Sequence, residues 1–178
     1  LGKRTLDRAV QIVGTCQDMC PEKERLEREE QRDVHTFEMV PGSNAGGQKP
    51  RIRHEWAVKK YHRSAACQEE ITPAELRPPP VLDMTLDYLL DNIIDRKDIA
   101  ADRWFEVYNF VRDRTRSIRQ DLTFQNVRDE SAVRLYEKIT RFHILAEERL
   151  CMEDKSNYDP QMNGEQLDKC LLSLLEFY

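Results

Sequence analysis

The chain has 178 residues, 39% hydrophobic and 34% charged, with 8 Pro, 6 Gly and a net charge of −5. That length supports one domain with a real core, and a high charged fraction beside ordinary apolar content suits a helical protein with long solvated faces. No apolar run reaches the roughly 18 residues a membrane span needs, and five cysteines are too few and too odd in number for a secreted disulfide scaffold.

Nothing alternates with period 2 long enough to predict a strand, whereas apolar spacings of three and four recur throughout. The first helix is expected to begin with Pro21 at its first position, after a turn at 18–20, and to run to Pro41-Gly42 with Leu26, Val34 and Phe37 as anchors. Ser43–Pro50 reads as a glycine-rich loop. A second helix is expected from about His54 to Cys67, burying Trp56 or Ala57, Tyr61 and Ala65. Thr72-Pro73-Ala74-Glu75 has the capping-box pattern, and Pro78-Pro79-Pro80 enforces an extended link and restricts Arg77.

A third helix starts at Pro80 or Val81 and presents Leu82, Leu86, Leu89, Leu90, Ile93 and Ile94. The fourth spans about Ala101–Leu122, with Trp104, Tyr108, Val111, Thr115, Ile118 and Leu122 on one face. The fifth covers about Ser131–Met152. The sixth begins after Asn163 as N-cap, with Gln166 at the third position, and carries Leu167, Leu171, Leu174, Leu175 and Tyr178. The two hairpins, 80–122 and 130–178, predict an all-α solenoid-like stack of antiparallel helix pairs. No initiator Met opens the chain and its last helix stops while still strongly apolar, so the native chain is expected to continue. Covering Leu171, Leu174, Leu175 and Phe177 would then need a further element.

The charge is unevenly spread. Residues 49–63 carry six Lys/Arg against one Glu, while 147–159 carry five acids against two bases. Lys49, Arg51, Arg53 and His54 lead into Trp56, a mixture suited to gripping an acidic surface or stacking on bases; Trp56 either serves such a contact or folds back on the core. On the fourth helix, Arg112, Arg116 and Arg119 share a narrow band beside the apolar face, with Glu106, Asp113 and Asp121 far round the cylinder. Acids on a neighbouring helix would offset their mutual repulsion, and phosphate or an acidic partner would do so equally.

Cys16 and Cys20 have the C-x3-C spacing of half a zinc site, but no second half follows. They are read instead as buried thiols in a structural clasp of Gly14, Cys16, Met19, Cys20 and Pro21, in which Gly14 allows a tight turn and sulfur packs beneath the first helix. Cys16 with His35 lacks an orienting third group. His143, beside Phe142, reads as a core histidine. The glycines at 42, 46 and 47 lack the Lys-Ser/Thr ending of a phosphate loop. No catalytic, cofactor or metal constellation emerges.

The run Val13-Gly14-Thr15-Cys16-Gln17-Asp18-Met19-Cys20-Pro21-Glu22-Lys23-Glu24-Arg25 resembles the opening signature of the germinal-centre-associated nuclear protein (GANP) family of mRNA-export scaffolds. The resemblance continues through Ala57–Tyr61, Arg63–Ala66, Gln68–Glu70, Leu76–Leu82, Asp87–Leu89, Phe110–Asp121 and Arg141–His143. It implies a lead-in segment, 1–20, and at 21–178 the N-terminal part of a helical-repeat middle domain, with a basic loop at 41–55, truncated before a PCI-type winged helix. It further implies a non-enzymatic scaffold without cofactors, in the nucleus at the nuclear pore, that couples transcription to mRNA export. The implied partners are a PCI-domain subunit, a small acidic disordered subunit and a DEAD-box RNA helicase, with RNA bound mostly through the winged helix beyond this chain and no membrane. The alternative is a PCI-type scaffold module of a proteasome-lid-like, translation or mitotic assembly.

Overall fold

The computed structural model describes residues 12–63 and 71–178. These form five α-helices with short helical turns between them, and the described residues contain no strand, only an isolated antiparallel bridge between Met39 and Ile52. The helices are α1 (Glu22–Glu30), α2 (Pro79–Tyr88), α3 (Trp104–Phe124), α4 (Glu130–Leu150) and α5 (Pro160–Phe177). The fold is all-α, as the apolar spacing requires.

The core is built from Leu82, Leu86 and Leu89 of the first hairpin, Val107, Val111, Ile118 and Leu122 of α3, and Leu135, Ile139, Phe142 and Ala146 of α4. Every residue expected on the apolar face of the fourth predicted helix, from Trp104 to Leu122, is buried. The main chain widens into a π-helical turn at Leu89–Ile94, which seats Leu89, Ile93 and Ile94 inward together. On α5, Cys170 and Leu174 face the core, while Leu171, Leu172 and Leu175 are exposed.

Three predicted boundaries differ, each for a local reason. The first helix ends at Glu30, well short of Pro41. Arg32 adopts a left-handed φ of 58°, its N–H bonds to Glu29 O at 3.2 Å and Asp33 N–H to Arg28 O at 2.8 Å, the five-to-two and six-to-one bonds, in that order, of a Schellman stop. A non-glycine residue fills the position where a sequence reader looks for glycine. Pro21 is the N-cap and not the first helical residue, so the helix starts one place later than expected, and Leu26 is 57% exposed.

The second predicted helix is replaced over 54–63 by one 3-10 turn, His54–Trp56, and an extended run. Its amides are taken by other elements: Val58 N–H by the Glu38 carboxylate at 2.8 Å, Lys59 N–H by Met19 O at 3.0 Å, Lys60 N–H by Glu24 at 2.7 Å and Tyr61 N–H by Asp113 at 3.3 Å. With four successive donors so engaged, the i−4 ladder cannot form. The second half of that prediction, with Ala65 and Cys67, lies outside the described residues. The Thr72/Glu75 capping box does form, around the turn Pro73–Glu75.

The last helix begins at Pro160, capped by Asp159, whose side chain accepts from Gln161 and Met162 N–H. Asn163 is therefore interior to α5 and fully buried. Its Oδ1 lies 2.8 Å from His143 Nδ1 on α4, and its Nδ2 donates to His143 O at 3.0 Å and to Glu147 at 3.2 Å. The histidine is a core residue that ties the second hairpin together.

Burial, only partly countered by the Asn163 bond, pushes the His143 pKa down to about 4, and half-buried His35 shifts the same way. A histidine kept neutral when folded but titrating near 6.5 when unfolded stabilises the fold fully above that pH and loses this contribution as pH falls toward 4. The wild-type urea midpoint should therefore drop between pH 7 and pH 5, with on the order of 3 kcal/mol at stake for His143. His143→Gln should flatten that part of the profile; a drop as steep as wild type would assign it elsewhere.

Candidate functional site

The segments before α2 carry few apolar anchors, so their placement depends on polar contacts with α3. Glu38 is fully buried, and its carboxylate is gripped by Arg28 of α1, by Arg114 Nη2 of α3 at 2.8 Å and by the Val58 amide at 2.8 Å. Burial would raise its pKa, but the Arg114 and Arg28 charges and these hydrogen bonds outweigh burial and hold it below the ordinary carboxylate value. Two turns along α3, Asp121 is also fully buried. It accepts from Arg77 Nε at 2.7 Å and from Lys59 Nζ at 2.7 Å. Arg77, likewise buried, also donates to Ser117 Oγ at 2.9 Å and Met19 O at 3.1 Å.

The five residues predicted as a clasp lie along this same junction. Gly14 N–H donates to Gln125 Oε1 at 2.8 Å, and a Cβ there would sit 2.5 Å from Leu76 O. The glycine is needed for close approach rather than for a turn. Cys16 N–H donates to Leu76 O at 3.0 Å, and Met19 O receives both Lys59 and Arg77. Cys20 and Pro21 are buried. Burial raises the pKa of both thiols, Cys20 most, so each stays protonated at neutral pH. Among the described residues no three His, Cys, Asp or Glu side chains gather as metal ligands.

The basic loop is less free and less basic than its composition suggests. Val40 N–H bonds to Arg51 O and Arg53 N–H to Glu38 O, both at 2.8 Å, and Ile52 N–H reaches Glu29 at 2.6 Å, so its C-terminal stem is pinned. Of the six cations in 49–63, Arg53 pairs with Glu55, Lys59 with Asp121 and Lys60 with Asp33. Lys49 and Arg51 remain exposed, and His54 lies 3.3 Å from Asp18. Trp56 is half-buried, with the Arg53 guanidinium 4.2 Å from its ring centre.

The arginine band on α3 divides. Arg112 turns toward Met162 and the Tyr108 ring. Arg116 and Arg119 line an open cleft of about 470 Å³ between α3, α5 and the extended segment at 61–63. Their expected acidic partners are absent among the described residues. Arg119 Nη2 donates instead to buried Gln166 of α5 at 2.5 Å, and the Arg116 guanidinium stacks 3.9 Å above the Tyr61 ring. None of Lys49, Arg51, Arg53, His54 or Trp56 lines this cleft.

Sequence reading missed the buried ionic clamps, because Glu38, Arg28, Arg114 and Asp121 all look like surface charges. One signal was available. Arg114 falls three residues after Val111 and four before Ile118, on the edge of the apolar stripe, where a charge is buried as soon as a second layer packs there.

Residues 19–178 match the SAC3/GANP family. Among known proteins, the chain is 48% identical to SAC3 family protein 1 of Schizosaccharomyces pombe, over 98% of this chain and 16% of that protein. It is 45% identical to Protein xmas of Drosophila melanogaster over 93% of the chain and 8% of that protein, and 38% identical to SAC3 family protein B of Arabidopsis thaliana over 94% and 9%. The chain thus spans less than a fifth of the length of these relatives.

Glu38→Ala should lower stability by about 3 kcal/mol, because two buried guanidinium groups lose their shared carboxylate, although Arg28 keeps Glu24 and Arg114 keeps Asp113; urea unfolding measures this. Gly14→Ala should cost about 1–3 kcal/mol, since its methyl meets backbone that cannot swing aside. An unchanged urea midpoint in either variant would mean that its contact does not hold the N-terminal segments to α3.

Proposed function

The chain belongs to the SAC3/GANP family, and we propose that it is a non-enzymatic scaffold segment of a nuclear mRNA-export assembly. The observation that carries this reading is the family match over residues 19–178, supported by 38–48% identity to relatives in a yeast, an insect and a plant. In this role the helical stack serves as a platform for a PCI-domain partner and a small acidic subunit, at the nuclear pore. The buried network suits a platform: it fixes the N-terminal segments on α3 without apolar area to spare.

The basic turn is the proposed contact with a DEAD-box helicase. Lys49 and Arg51 are exposed to steer an acidic partner, and half-buried Trp56, braced by Arg53, offers a large ring on a pinned stem. Because the ring is not in the core, Trp56→Ala in the full-length protein should leave the melting temperature nearly unchanged. Affinity purification of the full-length protein should recover a PCI-domain subunit and the helicase, and Trp56→Ala should reduce the helicase alone. Helicase recovery equal to wild type would remove Trp56 from the contact; recovery of neither partner would overturn the export reading.

A further inference from the structure

The cleft between α3 and α5 is cationic in a way the fold does not explain. Arg63, Arg116, Arg119 and Lys169 line it, and among the described residues no Asp or Glu lines it and none of the four makes an ion pair. Cations buried as deeply as Arg28 and Arg77 do have carboxylate partners. Arg119 is fixed through its hydrogen bond to buried Gln166, yet its buried Nε makes no hydrogen bond among the described residues. Arg116 is held in place on Tyr61. Oriented guanidinium groups without a carboxylate form a preorganised anion site.

The hydroxyls narrow the anion further. Thr123 Oγ1 donates its proton to Arg119 O at 2.8 Å, and Ser173 Oγ donates to Lys169 O at 3.0 Å. Both therefore keep lone pairs free to accept a further hydrogen bond at the cleft they line. A carboxylate or phosphate oxygen only accepts, so these hydroxyls suit a ligand with a donor beside its anion, as the ribose 2′-hydroxyl of RNA is. The cations stand on opposing walls, Arg116 and Arg119 on α3 and Lys169 on α5, so a single strand laid between them is gripped from both sides.

We propose that this cleft receives the phosphodiester backbone of a single RNA strand, its cations holding phosphates and Thr123 and Ser173 accepting from ribose. The inference rests on the export role proposed above and assigns RNA to a surface distinct from the Trp56 turn.

The test is equilibrium binding of a 12-nucleotide oligouridine to the full-length protein across a salt series, with an oligoglutamate peptide as a second ligand. Each phosphate contact to a single strand contributes about 0.7 to the slope of log affinity against log salt. Arg116→Gln with Lys169→Gln should therefore make the slope shallower by about 1.4, without altering the melting temperature. If that pair lowers the melting temperature, exposed Arg63→Gln alone should reduce the slope by about 0.7. An unchanged slope with RNA still bound would overturn the cleft assignment and leave the export reading standing. Oligoglutamate binding that the double change abolishes, with the RNA slope unaltered, would overturn it in favour of an acidic protein segment. Wild-type protein that binds no RNA at all would overturn the inference and count against the export reading itself.

Discussion

Two buried carboxylates on one side of α3 decide how the first third of the described chain is arranged. Glu38 joins α1, the Val58 amide and Arg114; Asp121 joins Arg77 and Lys59 and, through Arg77, Met19. Residues 12–63 contribute only Phe37 and Val58 to the buried core cluster, with Met19 packed against it. A segment so poor in apolar side chains cannot be ordered by burial alone.

Buried ion pairs seldom add much net stability, because each charge forfeits its hydration before it gains a partner. Their effect here is on geometry. A leucine at position 38 would tolerate many packings, whereas a carboxylate that needs two guanidinium groups and one amide accepts a single arrangement. The same network consumes charge. Arg28, Lys59, Arg77 and Arg114 are neutralised internally, whereas Lys49 and Arg51 near the turn and the cations on the walls of the cleft make no ion pair among the described residues.

Helix ends follow a related logic. Both α1 and α3 stop at a residue with positive φ that is not glycine, Arg32 at 58° and Asn126 at 51°. In each case the next residue's N–H bonds back to the carbonyl five positions before it, Asp33 to Arg28 and Val127 to Leu122. The carbonyl bonds offset the modest cost of the left-handed backbone, and the chain is turned sharply enough for the following segment to pack back on the helix it has left.

The sequence by itself determined the fold class, the four helical stretches from α2 to α5 and the apolar face of α3, because those depend on periodic burial that each helix encodes locally. It also carried the family signature. It could not determine the end of α1 or the extended path of 57–63, since these depend on amides captured by Glu24, Glu38 and Asp113 from distant positions. It placed Asp121 far round the cylinder from the arginine band, and only the packing of Arg77 and Lys59 against that side made it an interior. The three arginines on α3 were legible as a band, but their division was not: Arg112 toward α5 and Arg116 and Arg119 into a cleft depend on where α5 crosses, and the start of α5 is set by Asp159, four residues before the asparagine that local pattern favours. Local periodicity is written in neighbouring residues; the fate of a charge depends on which distant group reaches it first, and only the tertiary structure decides that.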